Sequence, residues 1–446
     1  MSNRKLGITI MLLAAVSAAG CGGNTGGSDD PAAEKAEGKA FNYGQSATLT
    51  FYNNIGVPDS YFTDYIEPHV KKKFPNVTLT YISSAVKENT MENFVTAGTV
   101  PDIILTTDSS LIRYMDLGVM QNLDPVAKTN GIDLNVFRDD MIQTLRGYSD
   151  KGELYVLPWT FGTYALFYNK DIFDKFGVAY PKDGMTWDSP ELKAIVEKLS
   201  RTDGGVPYRG LEINMGGLIG QNQLSLPLVN AQTDKAAVNT DEWKKLIETY
   251  KAFYQISGNQ KPDSATFDGA KAFIEERSAA MWVGNAVYPR LIDLEKKGDG
   301  FNWDIVSVPT FKQAPNTTIQ YGGALYGISS MGGNKDLAMH IISMLTSAEV
   351  QTEGGRLLRY PTLKAVDVKE AFGKGESFLD QKNMKSLHLT KIASSPKPTK
   401  YDSIARSVLS GKVNEILKGI KDTNTALREA EEEINKKIAE QKAAGK

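Results

Sequence analysis

From about Tyr43 onward the chain alternates between two hydrophobic periods. Leu49 to Tyr52 reads as a strand, and the loop Asn53-Asn54-Ile55-Gly56-Val57-Pro58 follows it. Ser60 to Phe74 reads as a helix closed by Pro75, and Val77 to Ile82 alternates apolar and β-branched positions at period two. A second helix is expected from about Val86 to Ala97, ending at Gly98. Pro101-Asp102-Ile103-Ile104-Leu105 is a short apolar run of the kind found in strands buried on both faces. Strand, helix, strand, helix, strand means an α/β protein, with helices covering a largely parallel sheet. In such sheets ligands sit beyond the carboxyl ends of the strands, where the loops Asn53 to Pro58 and Thr106 to Ser110 converge.

A second block of the same kind follows. Leu154 to Leu157 and Tyr164 to Tyr168 read as strands flanking Pro158-Trp159-Thr160-Phe161-Gly162-Thr163. Ser189-Pro190 opens a helix, with a capping side chain before a proline at the first helical position. Leu192, Ile195, Val196 and Leu199 give that helix one apolar face. Further helices are expected near Asp241 to Gln255 and Phe267 to Glu276, and strands at Ala279 to Val283, Asp304 to Val308 and Ala324 to Ile328. Near the C-terminus Leu427, Ala430, Ile434 and Ile438 form a helical stripe.

The N-terminus breaks this pattern. Arg4 and Lys5 precede the apolar run Leu6 to Ala19, which is short for a membrane span and ends in small residues, as a signal peptide does. Ala18-Ala19-Gly20-Cys21 resembles the lipobox of bacterial lipoproteins, which implies cleavage before Cys21 and lipid on its sulfur. The alternative is ordinary secretory cleavage. Cys21 is the only cysteine, so no intrachain disulfide can form. Residues 22 to 40 hold too little apolar content to fold and read as a tether.

Composition narrows the chemistry. In 446 residues, 51 Lys and Arg balance 53 Asp and Glu, for a net charge of -2, which argues against nucleic acid as a partner. Three histidines leave little for a His-based metal site. No Walker-type loop, G-x-G-x-x-G, H-E-x-x-H or G-x-S-x-G is present, which argues against the common enzyme classes; no cofactor and no metal are expected, although metal sites built on oxygen stay open without an EF-hand loop. A carboxylate pair for glycoside hydrolysis stays open at this point. What remains is a set of junctions rich in aromatics, amides and glycines: Trp159, Phe161 and Tyr164; Asn285 and Tyr288; Tyr321, Gly322 and Gly323. Sugars have apolar faces and hydroxyl rims, which such side chains match. Trp187, Trp243 and Trp303 sit away from these junctions and are assigned to packing.

In order along the chain, several segments resemble the family 1 extracellular solute-binding proteins, the sugar-binding lipoproteins of ABC importers. They are Pro101-Asp102-Ile103, Gly152 to Pro158, Tyr168 to Phe173, Phe176-Gly177-Val178, Thr186-Trp187-Asp188, Ala280-Met281, Tyr321 to Ile328 and Ser347 to Gln351. The resemblance covers nearly all of the chain from residue 45. It implies a two-lobed, periplasmic-binding-protein-like α/β fold with three hinge crossings, near Pro158 to Thr163, Tyr321 to Leu325 and Tyr360 to Leu363. It divides the chain into a signal peptide (1–20), a lipidated cysteine and tether (21–43), an N-terminal lobe (44–158 and 324–360) and a C-terminal lobe (159–323 and 361–446). The family's cleft positions fall on Asn53, Asn54, Thr107, Asp108, Ser109, Trp159, Tyr164, Gly284, Asn285, Tyr288 and Tyr321. Thr106 and Gly162 depart from the aromatic and the glutamate of the maltodextrin-binding relative. Arg356 and Arg359 either contact an acidic sugar or form structural ion pairs.

The function implied is capture without turnover. A carbohydrate, an oligosaccharide by preference, closes the two lobes and is delivered to membrane permease subunits served by a separate ATPase. The protein is then a monomer held by its N-terminal lipid at the outer face of the cell membrane, on a Gram-positive surface. The rival readings are a lipid-anchored polysaccharide-active enzyme and a sugar-sensing or adhesive module without transport.

Overall fold

A computed structural model describes residues 41–261, 268–285 and 287–443. The expected signal peptide, the expected lipidation site Cys21 and the expected tether up to residue 40 lie outside the described residues. Among the described residues no helix is long and apolar enough to cross a membrane.

Local chemistry sets the element boundaries. Ser189 accepts the Leu192 N–H at 3.1 Å and Pro190 starts the helix Pro190–Leu199. The helix expected from Val86 begins instead at Met91, because Thr90 is its cap, accepting the Asn93 N–H at 3.3 Å. It ends at Gly98, whose φ of 67° closes the last turn. Between Asp59 and Lys73 the helix widens to a π turn over Phe62–Ile66, just before Pro68, which has no N–H to give.

Two large sheets result, one in each lobe, beside three two-stranded ones. The first has the order Val77–Ser83, Ala47–Asn53, Ile103–Thr107, Gly323–Ile328, Val156–Phe161. Its first two pairings are parallel and its last two antiparallel. The second runs Trp303–Ser307, Ala165–Asn169, Met281–Gly284, Glu212–Ile213, with only the last pairing parallel. The expectation of largely parallel sheets is therefore corrected. Parallel neighbours need a crossover helix, whereas Val156–Phe161 passes into Ala165–Asn169 after three residues and Gly323–Ile328 returns from the second lobe. Strands that enter a lobe straight from the other one run against their neighbours.

The first core packs Phe51, Phe62, Trp159 and Tyr326 over one sheet face, and the second gathers Trp187, Trp243 and Tyr250. Trp187, Trp243 and Trp303 are all buried, in keeping with their assignment to packing.

The connections between the sheets lie side by side. Gly162 N–H donates to Gly322 C=O at 3.1 Å, Thr160 Oγ1 donates to Tyr360 C=O at 3.0 Å, and Thr362 Oγ1 donates to Pro158 C=O at 2.8 Å. Three segments far apart in sequence thus form one narrow bridge.

Candidate functional site

Beside that bridge a pocket opens between the two lobes. Asp108, Ser109, Ile112 and Tyr148 line it from the first lobe; Gly220, Gln221, Gln320, Tyr321, Asp402 and Arg406 line it from the second. The segment Ser395 to Lys400, stiffened by Pro396 and Pro398, also lines it. Lys397 in this segment pairs with Asp150 of the turn leading into Val156–Phe161, so the strap touches both lobes.

Each side chain is placed by its element. Asp108 opens the helix Asp108–Asp116 directly after the strand Ile103–Thr107, which puts its carboxylate at a helix N-terminus and at a carboxyl strand end together. Asp402 opens the helix Asp402–Leu417 and accepts the Thr399 N–H at 2.8 Å and its hydroxyl at 3.0 Å. Arg406 stands one turn further on the same helix face. Its stem lies on Gly220, where a Cβ would come 2.7 Å from Cδ.

The electrostatics follow from this crowding. Burial pushes the Asp108 and Asp402 carboxyls up, and Arg406 opposes the rise at both. Tyr148 is pushed well up by burial and by the same two carboxylates. Among the described residues, two donors on this pocket's lining residues lack an acceptor: Arg406 Nε and Gln320 Nε2, the latter on a buried side chain. The pocket therefore presents unsatisfied donors beside half-buried carboxylates, an arrangement suited to groups that both donate and accept.

Of the expected residues, Asp108, Ser109 and Tyr321 line this pocket. Thr107 hydrogen-bonds the lining residue Ser109 at 2.8 Å and so adjoins it, and Asn54 Nδ2 donates to Ser110 of the same helix at 3.2 Å. Asn285 approaches Asn214 at 3.5 Å, and Asn214 donates to the Tyr164 hydroxyl at 3.1 Å, forming a polar patch against Gly162. The remaining four are placed elsewhere. Asn53 braces its own loop, donating to Val57 C=O at 3.0 Å and to Tyr81 at 2.9 Å. Trp159 is covered by Tyr61 at 4.8 Å and Tyr326 at 5.7 Å between ring centroids. Gly284 lies under the Trp282 indole, and Tyr288 is buried among Phe167, Trp303 and Phe372.

Arg359 departs from the structural ion pair expected of it as one alternative. No carboxylate pairs with it among the described residues; its guanidinium lies 4.5 Å over each of Tyr61 and Tyr65. Sequence reasoning missed Tyr148, Gln221, Gln320, Asp402 and Arg406. The i,i+4 spacing of Asp402 and Arg406 after a proline-rich segment was the available signal. Among the described residues no cluster of three or more His, Cys, Asp or Glu is placed to hold a metal.

Comparison with known proteins gives this geometry a context. The sequence profile described as bacterial extracellular solute-binding protein matches residues 54–352. A mannitol-binding protein of Pseudomonas aeruginosa is 26% identical over 174 residues, 37% of this chain and 38% of that one. The chain spans little more than a third of the length of the curated relatives it matches. Among solved structures, a substrate-binding protein of Listeria monocytogenes in complex with cycloalternan superposes with a TM-score of 0.66 at 18% identity, covering 89% of this chain and 100% of that one. A sugar transporter protein of Rhizobium etli in an open conformation gives 0.69 at 20%, covering 87% and 99%.

Proposed function

The chain belongs to the bacterial extracellular solute-binding proteins, and from that premise we propose that it is the carbohydrate-capturing lipoprotein of an ABC importer, delivering an oligosaccharide to a membrane permease. One observation carries the carbohydrate reading: orphan donors at Arg406 and Gln320 share a pocket with the Asp108 carboxylate. A hydroxyl satisfies both kinds of group, donating to the carboxylate and accepting from the guanidinium or amide. A carboxylate-bearing solute would add negative charge beside two carboxyls that burial has already pushed up. A neutral sugar fits better. The solutes named for the Pseudomonas and Listeria proteins, mannitol and cycloalternan, are both polyhydroxylated and support the same reading.

The mechanism is closure rather than turnover. The pocket draws on both lobes, so a solute touching both favours the closed state by its differential contacts. About six to ten hydrogen bonds at about 0.5–1.5 kcal/mol each reach micromolar affinity after ordering costs. Asn53, Trp159, Gly284 and Tyr288 would then shape and stiffen the lobes, while Asp108, Ser109, Tyr321 and Arg406 touch the sugar. The lipid on Cys21 would hold the protein at the outer face of the membrane.

The test is calorimetric titration with mono- and oligosaccharides, neutral and acidic, on wild type and Arg406→Gln. We expect stoichiometric binding of a neutral sugar, weakened at least tenfold by Arg406→Gln (about 1.4 kcal/mol), with no product released. Equal affinity in the variant removes the site assignment, and glycan cleavage by the wild type overturns the capture reading.

A further inference from the structure

A second concave surface lies beside Tyr360 of the third connection, and basic side chains outnumber acidic ones in it. Arg138, Lys364, Lys369, His388 and Lys391 line it together with Asp139, Asp140 and the Tyr360 ring. Both carboxylates are already committed. Asp140 takes Arg138 bidentately, at 3.1 Å from Nε and 2.7 Å from Nη2, and Asp139 takes Lys364 at 2.7 Å. Lys369 and Lys391 are left without an ion-pair partner among the described residues. We propose that this groove is a binding site for a phosphate group, held by Lys369 and Lys391 with His388 and the Arg138 region around it.

Three features carry the assignment. The first is the surplus itself: two lysines and one histidine converge where every carboxylate lining the groove is spent, and a phosphate near −2 at neutral pH matches two ammonium groups. The second is the environment. Burial holds the Lys369 ammonium below its ordinary range, and Arg138 adds to that against a smaller opposing effect of Asp140. His388 is lowered by desolvation, then by Lys369 and Arg138, with Glu370 opposing. Cations pressed together in this way are relieved by an anion. The third is the backbone. The helix Asp139–Arg146 starts in this groove, and although Asp140 already accepts the Met141 N–H at 3.0 Å, Arg138 at its cap position supplies no side-chain acceptor, so the remaining N–H groups of the first turn face the same groove.

The placement gives the site a consequence. Arg138 N–H donates to Thr362 C=O at 2.9 Å, Tyr360 lies beside Phe161, and Tyr360 Oη is 2.5 Å from His388 Nδ1. Lys391 N–H donates to Asn316 C=O at 2.9 Å, just ahead of the strand Thr317–Gln320 that leads into the second connection. A phosphate group here ties the first lobe's helix to the segments that bridge the lobes. The chemistry is shared by free phosphate and by a phosphomonoester headgroup such as that of phosphatidic acid, and the experiment separates the two sources.

The full chain is melted in sodium phosphate and in sodium chloride of equal ionic strength, and titrated with dihexanoyl phosphatidic acid. We expect phosphate at ten times its Kd to raise Tm by about 2 °C beyond chloride. Lys369→Gln and Lys391→Gln each weaken binding about tenfold while retaining the far-UV circular dichroism of the wild type. Tighter binding of the short-chain lipid than of inorganic phosphate identifies a headgroup; equal or weaker binding identifies the free ion. Phosphate should also raise the pH at which the His388 imidazole titrates in carbon-detected NMR, a readout on the wild type that needs no variant to fold. Equal phosphate responses in wild type and both lysine variants, or an unmoved His388 titration, overturn the proposal.

Discussion

Gly162 N–H donates to the Gly322 carbonyl at 3.1 Å, joining the first and second connections between the lobes backbone to backbone. Both positions are also closely covered. A Cβ on Gly322 would lie 1.5 Å from Gln221 Nε2, and one on Gly162 would lie 2.8 Å from Asn285 Nδ2. The amide side chains that flank the pocket thus occupy the space the two glycines leave. Gly322→Val should drive Gln221 off the pocket wall and weaken saccharide binding about tenfold, or about 1.4 kcal/mol. Titration calorimetry checks the affinity, and small-angle scattering should show a smaller ligand-induced compaction than in the wild type.

Trp159 tests the difference between a wall and a core. Its ring is only 4% exposed, covered by Tyr61 and Tyr326. Trp159→Ala should therefore cost about 3–5 kcal/mol of stability, the usual range for deleting a buried indole. An urea melt that leaves the midpoint unchanged would place the ring in the cleft instead.

Much of this architecture could be read from local pattern. The strand at Ala47–Asn53, the Ser189 cap and the apolar face from Leu192 to Leu199 each declare themselves within a few residues. The direction of the late strands did not, because Gly323–Ile328 gets its orientation from a return across the lobes that no window of sequence contains. The pocket was legible to the same degree. Asp108 and Ser109 follow a recognisable strand, whereas Arg406 owes its place to a helix that begins 294 residues after Asp108. Aromatic content misled at Trp159 because rings serve a core as well as they serve a sugar.

A structural ion pair away from the pocket should behave in the opposite way to the pocket carboxyls. Asp124 accepts Arg146 at 2.7 and 2.9 Å and the Leu154 N–H at 3.1 Å, and these contacts hold its carboxyl below the ordinary range. Both side chains are 34% exposed, so solvent screens the pair. Asp124→Ala should cost about 1–2 kcal/mol at neutral pH, including the Leu154 amide it leaves unpaired. The loss should be full above the ordinary carboxyl value and should fade as pH falls through the lowered folded value, because the wild-type carboxyl is then protonated too. Urea midpoints of the two proteins between pH 7 and pH 2 check this.

Asp108 carries the reverse sign. Burial raises its carboxyl in the folded protein, so folding favours the protonated form, and the ionised form is a burden that Arg406 relieves only in part. Stability from this group is fully present below the ordinary carboxyl value of about 3.9 and declines as pH rises through the higher folded value. Asp108→Asn should then melt about 2 °C above the wild type at pH 7. The gap should close below about pH 4, where the wild-type carboxyl is itself neutral. If Asp108 also accepts a sugar hydroxyl, the same variant loses at least tenfold in saccharide affinity at pH 7, a gain in stability coupled to a loss of binding. Melting curves across pH, paired with calorimetry at pH 7, read both effects. A variant that melts below the wild type at pH 7 would mean that the carboxylate is held by contacts stronger than its burial.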